Sequence, residues 1–156
     1  MKEQDIINKI TAGLADKALD ITQPAPRRIF FRVERMHLRD AVQFLRDQLG
    51  CQYLATISGV DLGEQFEVVY HFANAHACIN LRTRIPRSEP RLPSICAIIP
   101  GAVLYERELQ DMFGMIVDGI PDPRPLVLPD DWPAGNFPLR KDWKFERPPE
   151  KIPGGS

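Results

Sequence analysis

Between residues 51 and 83, three stretches alternate apolar and polar residues, and very short turns separate them. "CQYLATIS" alternates Cys51, Tyr53, Ala55 and Ile57, and "QFEVVYHF" alternates Phe66, Val68, Tyr70 and Phe72. "HACINLRT" sets Ala77, Ile79 and Leu81 on one side. Period-two alternation describes a strand with one buried and one wetter face. The turns "DLGE" and "NA" are too short for a parallel crossover, which needs about a dozen residues, so the neighbours run antiparallel. Any fold of this chain must therefore cover one face of a three-strand meander.

The covering elements come first in the chain. "EQDIINKITAGLADKA" places Ile6, Ile7, Ile10 and Leu14 on one helical stripe, weakened by Gly13. Pro24 and Pro26 then break the chain, and "RRIFFRVE" alternates Ile29, Phe31 and Val33 with charged residues as a half-buried strand. "LRDAVQFLRDQLG" puts Leu38, Ala41, Val42, Leu45 and Leu49 on one face and stops at Gly50. The fold class predicted is α+β, with N-terminal helices on one face of a mostly antiparallel sheet.

Pro86, Pro90 and Pro93 end this part. "PSICAIIPGAVLYERELQDMFG" then reads as a turn capped by Ser94, a Pro-Gly corner and a helix ending at Gly114. Past residue 120 the last 36 residues hold nine of the 15 prolines and both tryptophans, with no helical or strand period. Composition alone would leave them disordered. The apolar side chains Leu126, Val127, Leu128, Trp132, Phe137, Leu139 and Trp143 argue instead for an extended arm ordered by packing. Two units are expected: an α+β domain over 1–120 that ends in the helix, and a proline-rich arm over 121–156 that packs on a partner.

The formal net charge of -1 excludes the basic footprint of a nucleic-acid or membrane-surface binder. The three cysteines, Cys51, Cys78 and Cys96, are far apart and form no C-x-x-C pair, so they read as small buried hydrophobes. The start "MKEQDIINKI" carries no signal-peptide pattern, and no apolar run reaches the roughly 18 residues of a membrane span. A link to a membrane is expected only through other chains.

"YERELQDMFG" concentrates the charge. On a helix, Tyr105, Leu109, Met112 and Phe113 share one arc. Arg107, Glu108, Gln110 and Asp111 lie opposite, Glu106 falls at the boundary, and Arg107 and Asp111 are spaced to pair. The charged face is open to several readings: a solvated surface, a docking surface, a metal site, or an acid-base pair of Glu108 and Asp111. An arginine beside the carboxylates keeps them ionised and weakens the last reading. His71 and His76 flank a hairpin turn, but two imidazoles do not make a zinc site. "PDPRP" and "RPPEKIP" leave a further alternative, a binding module whose tail is read by proline-recognising domains.

"YERELQDMFG", "GIPDPRPLVLPDDW" and "PLRKDW", in that order, resemble the signature of the 30-kDa subunit of respiratory complex I. The same pattern is carried by the related subunit of membrane-bound, energy-converting [NiFe]-hydrogenases. The resemblance covers Pro93 to Trp143, and the earlier residues match in layout. Its matching positions are Tyr105, Glu106, Arg107, Glu108, Asp111, Phe113 and Gly114, then Pro129, then Pro138, Leu139, Arg140, Lys141 and Asp142. The resemblance implies a subunit with no catalytic residue, metal or cofactor of its own. Iron-sulfur clusters, and NiFe or quinone, would belong to other subunits. The implied partners are a hydrogenase-like large subunit, a small iron-sulfur subunit and, indirectly, membrane subunits on whose cytoplasmic side the chain sits. These matching residues other than Pro129, with Trp132, Phe137 and Trp143 as aromatic anchors, are the expected partner interface. Leu104 stands where complex I members often have tryptophan, and the short end "KFERPPEKIPGGS" also tilts the resemblance toward the hydrogenase branch.

Overall fold

The structure, a computed structural model, describes residues 1–144. Helix α1 (Glu3–Leu14) leads into a hairpin of β1 (Leu19–Ala25) and β2 (Arg28–Arg32). Helix α2 (Leu38–Leu49) follows, then the meander of β3 (Tyr53–Asp61), β4 (Gln65–Ala73) and β5 (Cys78–Pro86). Strand β6 (Arg91–Pro93), helix α3 (Val103–Phe113) and strand β7 (Ile116–Asp118) complete the regular elements.

The meander forms as its alternation predicts, with β3–β4 and β4–β5 antiparallel. The full sheet runs β1-β2-β5-β4-β3, and β2 joins β5 in parallel. The fold is α+β on a mostly antiparallel sheet, as expected. The two helical stripes also hold. Ile6, Ile10 and Leu14 of α1, and Leu38, Ala41, Val42, Leu45 and Leu49 of α2, are buried in one core with Ile29, Phe31, Tyr70 and Leu81 of the sheet. Gly50 closes α2 in the left-handed region at φ 66°, where a side chain would strain.

Several features depart from the sequence reading. The segment with Pro24 is a strand. It pairs irregularly with two register shifts and lies at the sheet edge, where a missing N–H is tolerated. In β3 a register irregularity between Leu54 and Thr56 breaks the alternation, so Leu54 and Ile57 are buried while Tyr53 is 66% exposed. Cys78 is exposed, unlike Cys51 and Cys96, because it sits at the strand end facing away from the core. The parallel pair β6–β7 has only three residues a side and gave no periodic signal. Gly13 marks a close approach: a Cβ there would lie 2.1 Å from the Phe44 ring of α2.

Helix α3 packs against the end of the sheet at β3. Its Tyr105 hydroxyl donates to the Ala55 carbonyl at 2.9 Å, and its Phe113 ring meets Phe66 edge-on at 5.9 Å. The Phe113 ring also covers Gly59, where a Cβ would sit 2.4 Å from it. Gly59→Ala is therefore expected to overpack this contact and lower stability by about 1–3 kcal/mol, read by urea unfolding.

Candidate functional site

The charged residues of α3 divide into three groups. Glu106 is fully buried. Its carboxylate accepts from the Ser94 hydroxyl at 2.7 Å, the Ile95 N–H at 2.7 Å and the Cys96 thiol at 3.1 Å. Ser94, read from the sequence as a turn cap, does accept the Cys96 N–H at 3.1 Å, and it also presents its proton to Glu106. The loop before α3 is thus cinched to the helix from inside the core. Burial pushes the Cys96 thiol up to about 11, with Glu106 adding to the effect against the Ser94 contact. Burial, then Glu106 and Cys96, raise the nearby Tyr70 phenol well above its ordinary value. The Tyr70 hydroxyl is buried without a hydrogen-bond partner among the described residues.

The second group holds the arm. Arg107 and Asp111, spaced to pair with each other, do not. Arg107 donates to the Arg124 carbonyl at 2.8 Å and the Pro125 carbonyl at 2.9 Å, and pairs with Asp122 at 3.3 Å. Asp111 is buried, and one of its oxygens accepts the N–H groups of Leu126, Val127 and Leu128 at 2.9, 2.7 and 3.1 Å. The third group is Glu108, which is exposed.

The end of α3 is completed by the same arm. A helix leaves its last carbonyls without intrahelical donors. Here the Leu139 N–H donates to the Met112 carbonyl at 3.0 Å, and Arg140 Nε donates to the Phe113 carbonyl at 2.7 Å. Gly114 takes φ 69°, and Phe137 lies where its Cβ would be, at 2.5 Å, so glycine serves both the turn and the contact. Beyond it, the Lys141 N–H donates to Asp61 at 2.9 Å, and Arg87 bridges Asp61 at 2.8 Å and Asp142 at 2.6 Å. Trp132 and Trp143 stack at 5.9 Å with a 33° tilt, and Trp132 Nε1 donates to the Asn136 carbonyl.

The arm expected to lie on a partner is therefore seated on its own chain from Asp122 to Asp142. The nonlocal partners Asp61 and Arg87 carried no signal in the sequence. Their pairing with the arm crosses 80 and 55 positions. The seated "PDPRP" has its Asp122, Arg124 and Pro125 groups engaged by Arg107, while "RPPEKIP" lies outside the described residues. His71 is not near His76 in any bond; it bridges Ser58 and Asn80 at 2.9 and 2.7 Å. Among the described residues, no group of three or more His, Cys, Asp or Glu could hold a metal ion. No helix there is long and apolar enough to cross a membrane.

The arm exposes three large apolar side chains beside charged ones such as Arg124 and Asp131. Leu126, Val127 and Leu139 are 42%, 52% and 51% exposed, although their backbone N–H groups are bonded inward. The arrangement is a strap fixed by its backbone, with these three side chains turned out and Phe137 turned in against Gly114.

Comparison with known proteins gives the family. The family described as "Respiratory-chain NADH dehydrogenase, 30 Kd subunit" matches residues 31–149, and the chain belongs to it. A subunit of the F(420)H(2) dehydrogenase of Methanosarcina mazei is 31% identical over 148 residues, covering 92% of this chain and 93% of its own. A subunit of the NADH-quinone oxidoreductase of a Nocardioides strain is 32% identical over 97% of this chain, which spans 65% of that relative. A chain in the structure of the membrane-bound sulfane sulfur reductase, described as an archaeal respiratory membrane complex, superposes with a TM-score of 0.80. It is 25% identical and covers 96% of this chain and 98% of its own. The family is thus one of subunits of respiratory membrane complexes, and this chain is one of them.

Asp61 gives the clasp a pH signature. Burial works to raise its pKa, but the Lys141 N–H, the Arg87 guanidinium and the Gly63 N–H outweigh that and hold it at about 2, below the ordinary 3.8. A carboxylate depressed on folding contributes stability that is complete above its unfolded pKa and is lost as pH falls through the folded one. The Lys141 amide should stay protected from neutral pH to about pH 4 and lose protection toward about pH 2. Asp61→Asn is expected to remove that pH dependence in an NMR exchange titration.

Proposed function

We propose that this chain is a docking subunit of a membrane-associated oxidoreductase complex, with no active site or cofactor of its own. The observation that carries the reading is the strap: its backbone is spent on α3 and β3, and Leu126, Val127 and Leu139 are turned outward. Rigid apolar side chains on a prefolded strap bind at low entropic cost. The surface they form is offered to a hydrogenase-like large subunit, near a small iron-sulfur subunit. The exposed Glu108 and the half-buried Trp132 and Trp143 are taken as further contacts of this docking surface. Iron-sulfur clusters, with NiFe or quinone, belong to those partners, and so does the electron transfer coupled to ion pumping. The chain is held peripherally, on the cytoplasmic side, through these contacts.

The same geometry weighs against the acid-base reading. Asp111 spends one oxygen on three backbone N–H groups, so it is committed to holding the arm. It also weighs against a tail read by proline-recognising domains, because Arg107 grips the carbonyls of Arg124 and Pro125.

The double substitution Leu126→Asp, Val127→Asp tests the docking surface. Both side chains point outward, so the urea unfolding curve of the isolated chain should stay close to that of the wild type. Buried anchors at interfaces contribute about 2 kcal/mol or more each. Recovery of partner subunits on the tagged chain should therefore fall by about thirtyfold or more. Recovery equal to that of the wild type would reject the surface.

A further inference from the structure

Arg140 is held on three sides and open on the fourth. Its Nε donates to the Phe113 carbonyl, and its guanidinium carbon lies 4.6 Å from the Phe137 ring centre and 5.2 Å from that of Phe66. These contacts fix the plane of the fork. The terminal nitrogens carry four further N–H groups, and they meet no acceptor among the described residues. The nearby acids are engaged elsewhere. Asp61 binds Arg87, Gly63 and Lys141, and Asp142 binds Arg87. Burial, and after it the Arg87 charge, lower the pKa of Arg140 against the raising effect of the Asp142 and Asp61 charges. The open side faces a cleft of about 620 Å³ lined by Glu64, Arg87, Ser88 and Arg140.

We propose that Arg140 is a carboxylate-binding fork that takes an aspartate or glutamate side chain of the partner subunit. This rests on the docking reading above and names the chemistry of one contact in it. A guanidinium held in a fixed plane matches a planar carboxylate through two parallel N–H bonds. The preceding residue Leu139 is one of the outward apolar groups of the proposed docking surface, and Arg140 lines the cleft. Glu64 makes no ion pair among the described residues and stands on the same cleft. Its negative charge discriminates more strongly against a phosphate, which carries nearly two charges, than against a single carboxylate.

The site can be tested without the partner. The isolated chain, with nitrogen-labelled arginine, is titrated with sodium acetate against sodium chloride at matched ionic strength. The Arg140 Nε–H signal should shift saturably with acetate, at a midpoint of roughly tens of millimolar as fits a single partly exposed pair. Inorganic phosphate should bind more weakly than acetate. Glu64→Gln, which leaves the fork untouched, should tighten acetate severalfold. A linear shift equal to that with chloride, or no effect of Glu64→Gln, would overturn the site. In the assembled complex, Arg140→Lys should lower partner recovery about tenfold. Arg140→Lys recovered like the wild type, with acetate still bound to the wild-type chain, would overturn the partner side chain as occupant. Wild-type chain that recovers no partner at all would overturn the docking reading itself, whatever the acetate titration shows.

Discussion

One carboxylate oxygen of Asp111 receives three consecutive backbone N–H groups, and the seating of the arm depends on it. A proline-rich segment has few N–H groups to spend and forms no ladder of its own. Residues 126–128 supply three of them in a row, and each bond to a charged acceptor contributes about 1.5–3 kcal/mol. Arg107 adds the complementary half by donating to the carbonyls just upstream. The helix thus presents an acceptor and a donor side by side, and the arm fills both. In return, the arm supplies the donors that the end of α3 lacks. Neither element is complete alone.

Behind this contact, Glu106 ties α3 to the loop that precedes it. A fully buried carboxylate is costly unless its oxygens are bonded, and here a hydroxyl, a backbone N–H and a thiol surround it. The ERE cluster is therefore three different devices in succession. Glu106 faces the core, Arg107 faces the arm, and Glu108 faces solvent. The Phe66, Phe113, Phe137 and Arg140 groups join sheet, helix and arm into one layer, which couples the family signature to the sheet domain mechanically.

The parts legible in the sequence were those with local periodicity. The stripe of α2, the Gly50 stop and the β3–β4–β5 meander follow from spacing alone, because burial and turn length act over a few residues. The family, too, was readable from the order of three motifs. What escaped was nonlocal or irregular. The parallel pairing of β2 with β5 is fixed by topology, and β1 hid behind Pro24. The helical projection placed Glu106 beside the apolar arc without revealing that Ser94, Ile95 and Cys96 would surround it. It also suggested an Arg107–Asp111 pair, whereas the arm outcompetes that pair with backbone groups already in place. The aromatic and aliphatic residues of the arm signalled packing, but not that Asp61 and Arg87, far upstream, would provide the seat.

The central claim is that the arm is folded onto its own domain before any partner arrives. Amide hydrogen exchange on the isolated chain tests it most directly. The account predicts that the amides of Leu126, Val127, Leu128, Leu139 and Lys141 exchange at least about a hundredfold more slowly than an unstructured chain, and that Asp111→Asn selectively releases the first three. Exchange of these amides at unstructured rates in the isolated wild-type chain would contradict it.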